Sequence, residues 1–157
     1  MQILVAAVYL GSHSYIGEQQ QASGINKVKT DRQLKVTCDG IEGDFIGDKI
    51  LHGGREKALH HFPADHYQKL SDTFPSSAEM MVPGSIGENI SSLKCVEQDV
   101  CISDKFRMGS VILQISQPRK PCWKIDEKYH SRGVATFVHS QGLCGWYYRV
   151  LEEGMVA

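Results

Sequence analysis

The segment FRMGSVILQIS, residues 106–116, carries the clearest strand signal in the chain. Val111, Leu113 and Ile115 fall on one face of an extended backbone, and Gln114 lies on the other. A period of two residues is typical of a strand with one buried face. The segment therefore predicts a strand whose apolar face lies in the core.

Strand signals continue on both sides of this segment. Apolar and polar residues alternate over 34–38, and residues 146–151 are aromatic and prone to form a strand. The first ten residues are apolar and predict a buried strand. Short strands therefore dominate the chain.

One or two short helices are expected between the strands. Pro63 suits the first turn of one helix, which Pro75 ends. Residues 131–141 predict the other helix, which Gly142 ends. No pattern alternates strands and helices as βαβ units, and no Gly-x-Gly-x-x-Gly opens a helix after a strand. The predicted fold class is mainly β, in the form of a barrel.

Composition restricts the class of protein. The length of 157 residues predicts a single domain covering 1–157, and 41% hydrophobic residues suffice for a core. A formal net charge of -1 gives no sign of a nucleic-acid polymer as partner. The apolar start of the chain lacks a basic n-region and is too short to span a bilayer. We therefore expect no membrane partner and a cytoplasmic location.

The cysteines give no sign of a disulfide framework. Their number is odd, and no two form Cys-x-x-Cys, which argues against disulfide, zinc and iron–sulfur sites. Free thiols fit a reducing compartment. The five cysteines are Cys38, Cys95, Cys101, Cys122 and Cys144.

The segment SQPRKPCWK, residues 116–124, surrounds one cysteine with cations and prolines. Arg119 and Lys124 lie near Cys122 in sequence, and cations favour the thiolate. The prolines stiffen the backbone, and a soft thiolate is a natural ligand for a redox transition metal. The alternative interpretation is an inert buried cysteine beside a basic surface turn.

The segment HGGREKALHHFP, residues 52–63, combines paired glycines with cations. Gly53 and Gly54 allow backbone N–H groups to converge on an anion, and Lys57 could add charge against a phosphate. The alternative is a tight turn with solvated charges. The adjacent His60 and His61 need not face the same way, and such pairs pack in the core more often than they bind metal.

Two further segments contain polar pairs. In GENI, residues 87–90, Glu88 and Asn89 could fix the polar edge of a heterocycle, or simply form a turn. Asp44 and Asp48 could form a catalytic or metal pair, although their glycine-rich setting favours turn capping.

Taken together, these segments resemble the MOSC family, named for the molybdenum cofactor sulfurase C-terminal domain. The resemblance runs from about Ser23 to Val156, and the branch it resembles most consists of small stand-alone bacterial proteins linked to resistance against N-hydroxylaminopurine. Its motifs, in order, are GINK (24–27), GIEGD (40–44), HGGxxKA (52–58), PxxHY (63–67), GENI (87–90), SQPRxPCWK (116–124) and GWYxRVL (145–151).

The resemblance implies a MOSC-type β-barrel with a few short helices and a groove for the molybdopterin form of the molybdenum cofactor. It implies that Cys122 is the protein's ligand to the metal. The other residues expected at the cofactor are His52, Lys57, Asn89 and Arg119, together with the glycine pair Gly53 and Gly54.

The sequence departs from the family pattern in ways that bear on the fold. Gly47 stands where the pattern has alanine. Family members often continue beyond the equivalent of Val156 with another strand and a helical tail.

The first functional hypothesis is reduction of N-hydroxylated bases or related compounds, with Cys122 and His52 as catalytic residues and His52 supplying a proton. Electrons would come from an external flavoprotein-type reductase, and a homodimer is compatible with this interpretation. A second hypothesis is sulfur transfer through a persulfide on Cys122. A third is a non-enzymatic binder of the cofactor.

Overall fold

The computed structural model describes residues 2–156, which form twelve strands and three α-helices. The strands are β1 (Leu4–Gly11), β2 (Ser14–Ile16), β3 (Gln21–Ser23), β4 (Lys27–Thr30), β5 (Leu34–Thr37), β6 (Gly40–Ile41), β7 (Leu59–Pro63), β8 (Ile90–Leu93), β9 (Lys105–Met108), β10 (Val111–Pro118), β11 (Trp146–Glu152) and β12 (Gly154–Val156). The helices are α1 (His66–Thr73), α2 (Lys124–Tyr129) and α3 (Val134–Ser140). Within the described range, no helix is both long and apolar enough to cross a membrane.

The main sheet has seven strands in the order β4-β1-β8-β7-β11-β10-β9. Its neighbours are antiparallel except for β7 and β8, which run parallel. The sheet curls into a half-barrel, which confirms the mainly β, barrel-like prediction. A smaller sheet has the order β12-β5-β6, and β2 and β3 form a separate hairpin.

The segment 106–116 folds as a hairpin of β9 and β10, with Val111 paired to Met108 across the turn. Val111, Leu113 and Ile115 are all buried, as the alternation predicted. They belong to the apolar cluster that the main sheet shares with the small sheet. A second cluster includes Leu70 of α1 and packs the helices against the other side of the main sheet.

The predicted helix start at Pro63 is wrong, because Pro63 is the last residue of β7. The N–H of Ala64 donates to Ser92 of β8 at 2.7 Å, so the nitrogen of Pro63 faces the side of β11. β11 pairs with β7 only as far as His61, and the missing N–H therefore costs no ladder bond. Helix α1 begins three residues later, at His66, with Asp65 as its N-cap.

The N-terminal segment forms a strand as predicted, but it is not buried throughout. Tyr9 and Gly11 are buried, whereas Leu4 is 61% exposed and Val5 is 37% exposed. At the exposed end, Leu4 lies opposite Leu93 of β8, which is itself 39% exposed.

Candidate functional site

A groove opens where β7, β10 and β11 meet the loops that follow β3, β6 and β10. It encloses a cavity of ≈ 80 Å³ and, with its open mouth, ≈ 600 Å³ of space free of protein atoms. The fold brings together, from distant parts of the chain, five of the residues that the sequence singled out. They are His52, Lys57, Asn89, Arg119 and Cys122.

Cys122 lies between β10 and α2. Strand β10 ends at Pro118, and residues 119–122 lead to the helix without regular secondary structure. The carbonyl oxygen of Cys122 accepts a hydrogen bond from the N–H of Ile125 at 3.1 Å, which fixes the backbone at the helix start. The side chain is half-buried and lines the groove, so a molecule in the groove can reach the thiol.

Arg119 places a guanidinium in the groove wall at only 7% exposure. Its backbone N–H donates to Gly145 at 3.2 Å, which ties the segment after β10 to the start of β11. Among residues 2–156, Nη1 has no hydrogen-bond partner and Arg119 forms no salt bridge. A buried unpaired cation is costly, and a guanidinium is suited to a bidentate bond with phosphate. This group is therefore prepared for an anionic ligand.

The two adjacent histidines of β7 lie on opposite faces of the strand, as strand geometry requires. His61 lies in the core, with Nδ1 3.0 Å from Oη of Tyr148 and Nε2 2.6 Å from Oγ of Ser92. Burial lowers the pKa of His61 to about 3. His60 lines the groove beside Tyr147, and their ring centroids are 5.3 Å apart.

The Nε2 atom of His60 is buried and has no hydrogen-bond partner within residues 2–156. Burial, reinforced by the charge of Arg119, lowers the pKa of His60 well below its usual value. The imidazole is therefore neutral near pH 7. The sequence did not select His60; it indicated only that His60 and His61 need not face the same way.

The groove lining includes a buried ion pair that the sequence did not predict. Nζ of Lys27 is 2.6 Å from Oδ1 of Asp44, and both side chains are nearly inaccessible. Asp44 also accepts hydrogen bonds from the N–H of Gly11 at 2.5 Å and from Nδ2 of Asn89 at 2.8 Å. Burial lowers the pKa of Lys27, and the attraction of Asp44 opposes part of that effect.

The side-chain polar atoms of Asn89 form hydrogen bonds within the protein. Its Nδ2 donates to Asp44 and, at 3.3 Å, to the carbonyl of Tyr9. Its Oδ1 accepts from the backbone N–H of His60 at 3.1 Å. Asn89 borders the groove, and this network lets it hold β1, β7 and the loop of Asp44 in register.

Asp48 has a different role from Asp44. Its Oδ1 accepts hydrogen bonds from the N–H groups of Ile50 at 3.0 Å and Leu51 at 2.9 Å, so it caps a turn. The bond from Leu51 is the main cause that lowers the pKa of Asp48. The turn-capping interpretation therefore holds for Asp48, whereas Asp44 belongs to the buried network.

The loop between β6 and β7 supplies His52 and Lys57 to the groove. Burial, and then the charges of Arg119 and Lys124, lower the pKa of His52. Nζ of Lys57 donates to the carbonyl of Leu51 at 2.6 Å, which holds this loop together.

The glycine pair shapes the same loop without lining the groove. Gly54 has φ 91, a backbone conformation that favours glycine, and it precedes the 3-10 turn Arg55–Lys57. A Cβ at Gly53 would lie 2.8 Å from the carbonyl oxygen of Lys49. The two glycines therefore set the conformation of the loop that brings His52 and Lys57 to the groove.

Lys124 is a further cation of the groove wall, at 7% exposure. Its Nζ donates to the carbonyl of Ala22 at 3.0 Å and so joins α2 to the β2-β3 hairpin. The motifs GINK and SQPRxPCWK already contained Lys27 and Lys124, but only the fold shows that both reach the groove.

The groove carries an excess of positive charge. Four cationic side chains face two carboxylates, and one of those carboxylates is already paired. The cations are Lys27, Lys57, Arg119 and Lys124, and the carboxylates are Asp44 and Asp48. Together with an accessible thiol and two unsatisfied buried nitrogens, this arrangement fits a phosphorylated heterocycle that carries a thiophilic metal.

Several known proteins are similar in sequence to most of this chain. Protein YiiM of Escherichia coli strain K12 is 38% identical over 135 residues, which are 86% of this chain and 60% of that protein. The uncharacterized protein YflK of Bacillus subtilis is 34% identical over 86% of this chain and 60% of its own length. A Gibberella moniliformis protein named Reductase is 30% identical over 85% of this chain, but only 24% of that protein is covered.

Solved structures agree with the fold. The crystal structure of YiiM from E. coli superimposes with a TM-score of 0.81 at 32% identity and covers 100% of this chain and 66% of that one. The structure of YiiM from Geobacillus stearothermophilus gives a TM-score of 0.79 at 25% identity, with 99% of this chain and 71% of that chain covered.

The chain spans about 60% of the length of the two bacterial relatives it matches. The profile of the MOSC domain matches residues 48–157, which include His52, Lys57, Arg119 and Cys122. This chain therefore belongs to the MOSC domain family.

Proposed function

We propose that the groove binds the molybdopterin form of the molybdenum cofactor and that the protein uses it to reduce N-hydroxylated bases or related N-hydroxylated compounds. MOSC domains are associated with binding of the molybdenum cofactor. The observation that carries the proposal is that one groove holds both the half-buried Cys122 thiol and the buried guanidinium of Arg119, whose Nη1 has no partner within residues 2–156. A phosphorylated cofactor would satisfy the guanidinium, and its metal would take the thiolate.

Each group in the groove has a role in this proposal. Arg119, Lys57 and Lys124 would hold the phosphate by charge-assisted hydrogen bonds. His60 would lie beside the heterocycle as part of the groove wall, and Cys122 would bind the metal. Asn89 would act indirectly, because its amide already holds the loops on both sides.

When bound, the cofactor supplies two-electron chemistry at a metal. The overall change is R–NH–OH plus two electrons and two protons to R–NH2 and water, with cleavage of the N–O bond. His52 is the titratable group that we assign to proton delivery. Burial, and then the charges of Arg119 and Lys124, lower the pKa of His52, and an anionic ligand would oppose the effect of those charges.

The electrons would come from a separate flavoprotein-type reductase. The fungal relative named Reductase supports a redox role for chains of this kind. Sustained NADH oxidation by the purified protein without a reductase would contradict this part of the proposal.

The test is elemental analysis and pterin fluorescence on protein from a cofactor-replete host. Cys122→Ser should lose molybdenum and activity, because a hydroxyl is a poor substitute for a soft thiolate. Cys101→Ser is the matched control, since Cys101 is exposed and does not line the groove. A wild type without molybdenum or pterin, or a Cys122→Ser protein with normal metal and activity, would refute the proposal.

The same preparations separate the alternatives. A mass increase of about 32 Da on Cys122, in metal-free but active protein, would indicate a persulfide and sulfur transfer. Tight cofactor binding without reduction of any N-hydroxylated compound, whatever the electron donor, would indicate a non-enzymatic binder.

A further inference from the structure

We infer that Glu97 is a positioning residue of the groove: its carboxylate holds the backbone of Gly145, and Gly145 in turn holds Arg119 in the groove wall. This inference rests on the proposed function, because it assigns the residue that keeps the expected phosphate donor in place.

Glu97 connects two elements that are distant in sequence. It lies in the 3-10 turn Glu97–Asp99, which follows β8. Its Oε2 is 2.7 Å from Nε2 of His66, the first residue of α1. Its Oε1 accepts a hydrogen bond from the N–H of Gly145 at 2.6 Å. One oxygen of the carboxylate is therefore engaged with α1, and the other with the start of β11.

His66 gives this carboxylate a fixed anchor. The imidazole is buried and packs edge-on against Phe62 of β7, with the ring centroids 5.4 Å apart. Burial alone would raise the pKa of Glu97, but its hydrogen bonds with His66 and Gly145 outweigh burial and lower that pKa. The carboxylate is therefore ionised near pH 7, and a charged acceptor binds an N–H group more strongly than a neutral one.

Gly145 transmits this anchoring to the groove. It has φ 63, and a Cβ there would lie 2.1 Å from the carbonyl oxygen of His61 in β7, so the position requires glycine. Its own carbonyl oxygen accepts the backbone N–H of Arg119 at 3.2 Å. Because Pro118 ends β10 and has no N–H, the bond from Arg119 is the next one that this end of the strand can donate to β11.

Loss of the carboxylate should therefore disturb the groove from behind its wall. Without Glu97, the N–H of Gly145 has no fixed acceptor, and a glycine has no side chain to restrict its backbone. The carbonyl oxygen that holds Arg119 is then free to move, and the guanidinium is no longer held at one place. An effect of charge alone would have the opposite sign, because removal of a negative charge strengthens the attraction of the groove for an anion.

Titration of cofactor-free protein with inorganic phosphate, followed by calorimetry, measures how strongly the groove binds an anion. Glu97→Ala should weaken phosphate binding about fivefold. Glu97→Gln removes the same charge but keeps an oxygen for the N–H of Gly145, so it should bind within about twofold of the wild type. Asp99→Ala is the matched control and should change nothing, because Asp99 accepts from Val96 at 2.9 Å within the same turn.

A double-mutant cycle tests whether Glu97 acts through Arg119. In the background of Arg119→Met, Glu97→Ala should cause no further loss of phosphate affinity, because the group that it positions is gone. Amide hydrogen exchange gives an independent readout of the same link. In Glu97→Ala the amides of Gly145 and Arg119 should exchange about tenfold faster, and in Asp99→Ala they should exchange as in the wild type.

His66→Leu keeps an apolar side chain against Phe62 and frees only Oε2 of Glu97. It should weaken phosphate binding in the same direction, by about twofold, and it decides the matter if Glu97→Ala does not fold.

The failures are distinguishable. Unchanged or tighter phosphate binding in Glu97→Ala, or a loss that adds in full to that of Arg119→Met, overturns the role of Glu97 and leaves the proposed function standing. If Glu97→Ala does not fold, unchanged binding in His66→Leu overturns that role. A wild type that binds no phosphate overturns the phosphate site of the proposed function, and the role of Glu97 with it.

Discussion

The imidazoles of His60 and His61 point to opposite faces of β7, although the two residues are adjacent in sequence. His61 completes a buried hydrogen-bond chain from Ser92 to Tyr148, whereas His60 borders the groove and its buried Nε2 has no hydrogen-bond partner among residues 2–156. One residue thus supports the core of the half-barrel, and the other forms part of the groove wall.

The buried His61 predicts a loss of stability in mild acid. Its pKa is lowered to about 3 in the folded state, so between pH 6.5 and that value the unfolded chain binds the proton and the folded chain does not. The free energy of unfolding should therefore fall as the pH decreases through this window. For His61 alone, the loss from pH 7 to pH 5 should be about 2 kcal/mol.

Urea unfolding of the wild type and of His61→Gln at pH 7 and pH 5 measures this contribution. The variant should lose less stability than the wild type between the two pH values. Ser92→Ala, which removes one partner but keeps the imidazole, should retain the pH dependence. Equal losses in the wild type and His61→Gln would show that His61 is not the titrating group.

Arg119 should have opposite effects on folding and on binding. In the absence of an anion, its buried guanidinium lacks a partner, so Arg119→Met should raise the free energy of unfolding of cofactor-free protein by about 1 kcal/mol or more. The same variant should retain about one tenth or less of the pterin that the wild type retains, because the phosphate loses its bidentate donor.

Thermal melts of cofactor-free protein and pterin fluorescence of loaded protein give the two readouts. Arg107→Met, on the exposed face of β9, is the control and should change neither. A strongly destabilised Arg119→Met protein would mean that the guanidinium supports the fold rather than a ligand.

The stability of the fold should depend strongly on the ion pair of Lys27 and Asp44. Asp44→Asn removes the carboxylate charge and leaves a buried ammonium without its counterion, which should cost about 3–5 kcal/mol. Lys27→Met combined with Asp44→Asn should recover part of that loss, because no unpaired charge remains.

Chemical denaturation of the three proteins checks this expectation. Glu42→Gln breaks the pair of Lys35 and Glu42, whose side chains are each 55% exposed, and should leave the unfolding midpoint unchanged. If Asp44→Asn behaved like Glu42→Gln, the pair would not be buried in solution.

Local sequence pattern predicted where strands form better than it predicted which parts of the strands are exposed and which strands lie beside them. The alternation of Val111, Leu113 and Ile115 identified β10 and its buried face, because the two-residue period of a strand is visible in the order of consecutive residues. The same kind of pattern could not show that Leu4 is exposed. Pro63 was misassigned because a proline fits a helix start and a strand end equally well until the neighbouring strand is known.

The groove could be predicted only in part, for a similar reason. Cys122 and Arg119 share one short segment, so sequence places them together. Lys27, His60 and Lys124 reach the groove because the order of strands in the sheet brings distant segments side by side. Family resemblance supplied the motifs, but not which polar atoms remain free.

Gly47 replaces the alanine of the family pattern, and the structure supplies a physical reason. A Cβ at Gly47 would lie 2.2 Å from the carbonyl oxygen of Ala22, so the loop that carries Asp44 packs directly on the hairpin backbone. Gly47→Ala should force the loop outward, lower the thermal midpoint and weaken pterin retention. At Gly43 a Cβ would meet open space and only the φ of 88 is unfavourable, so Gly43→Ala should cost about 1 kcal/mol and leave pterin retention intact. Thermal melts and pterin fluorescence of both variants measure the difference. A Gly47→Ala protein with the thermal midpoint and pterin retention of the wild type would show that the loop and the hairpin are not in backbone contact.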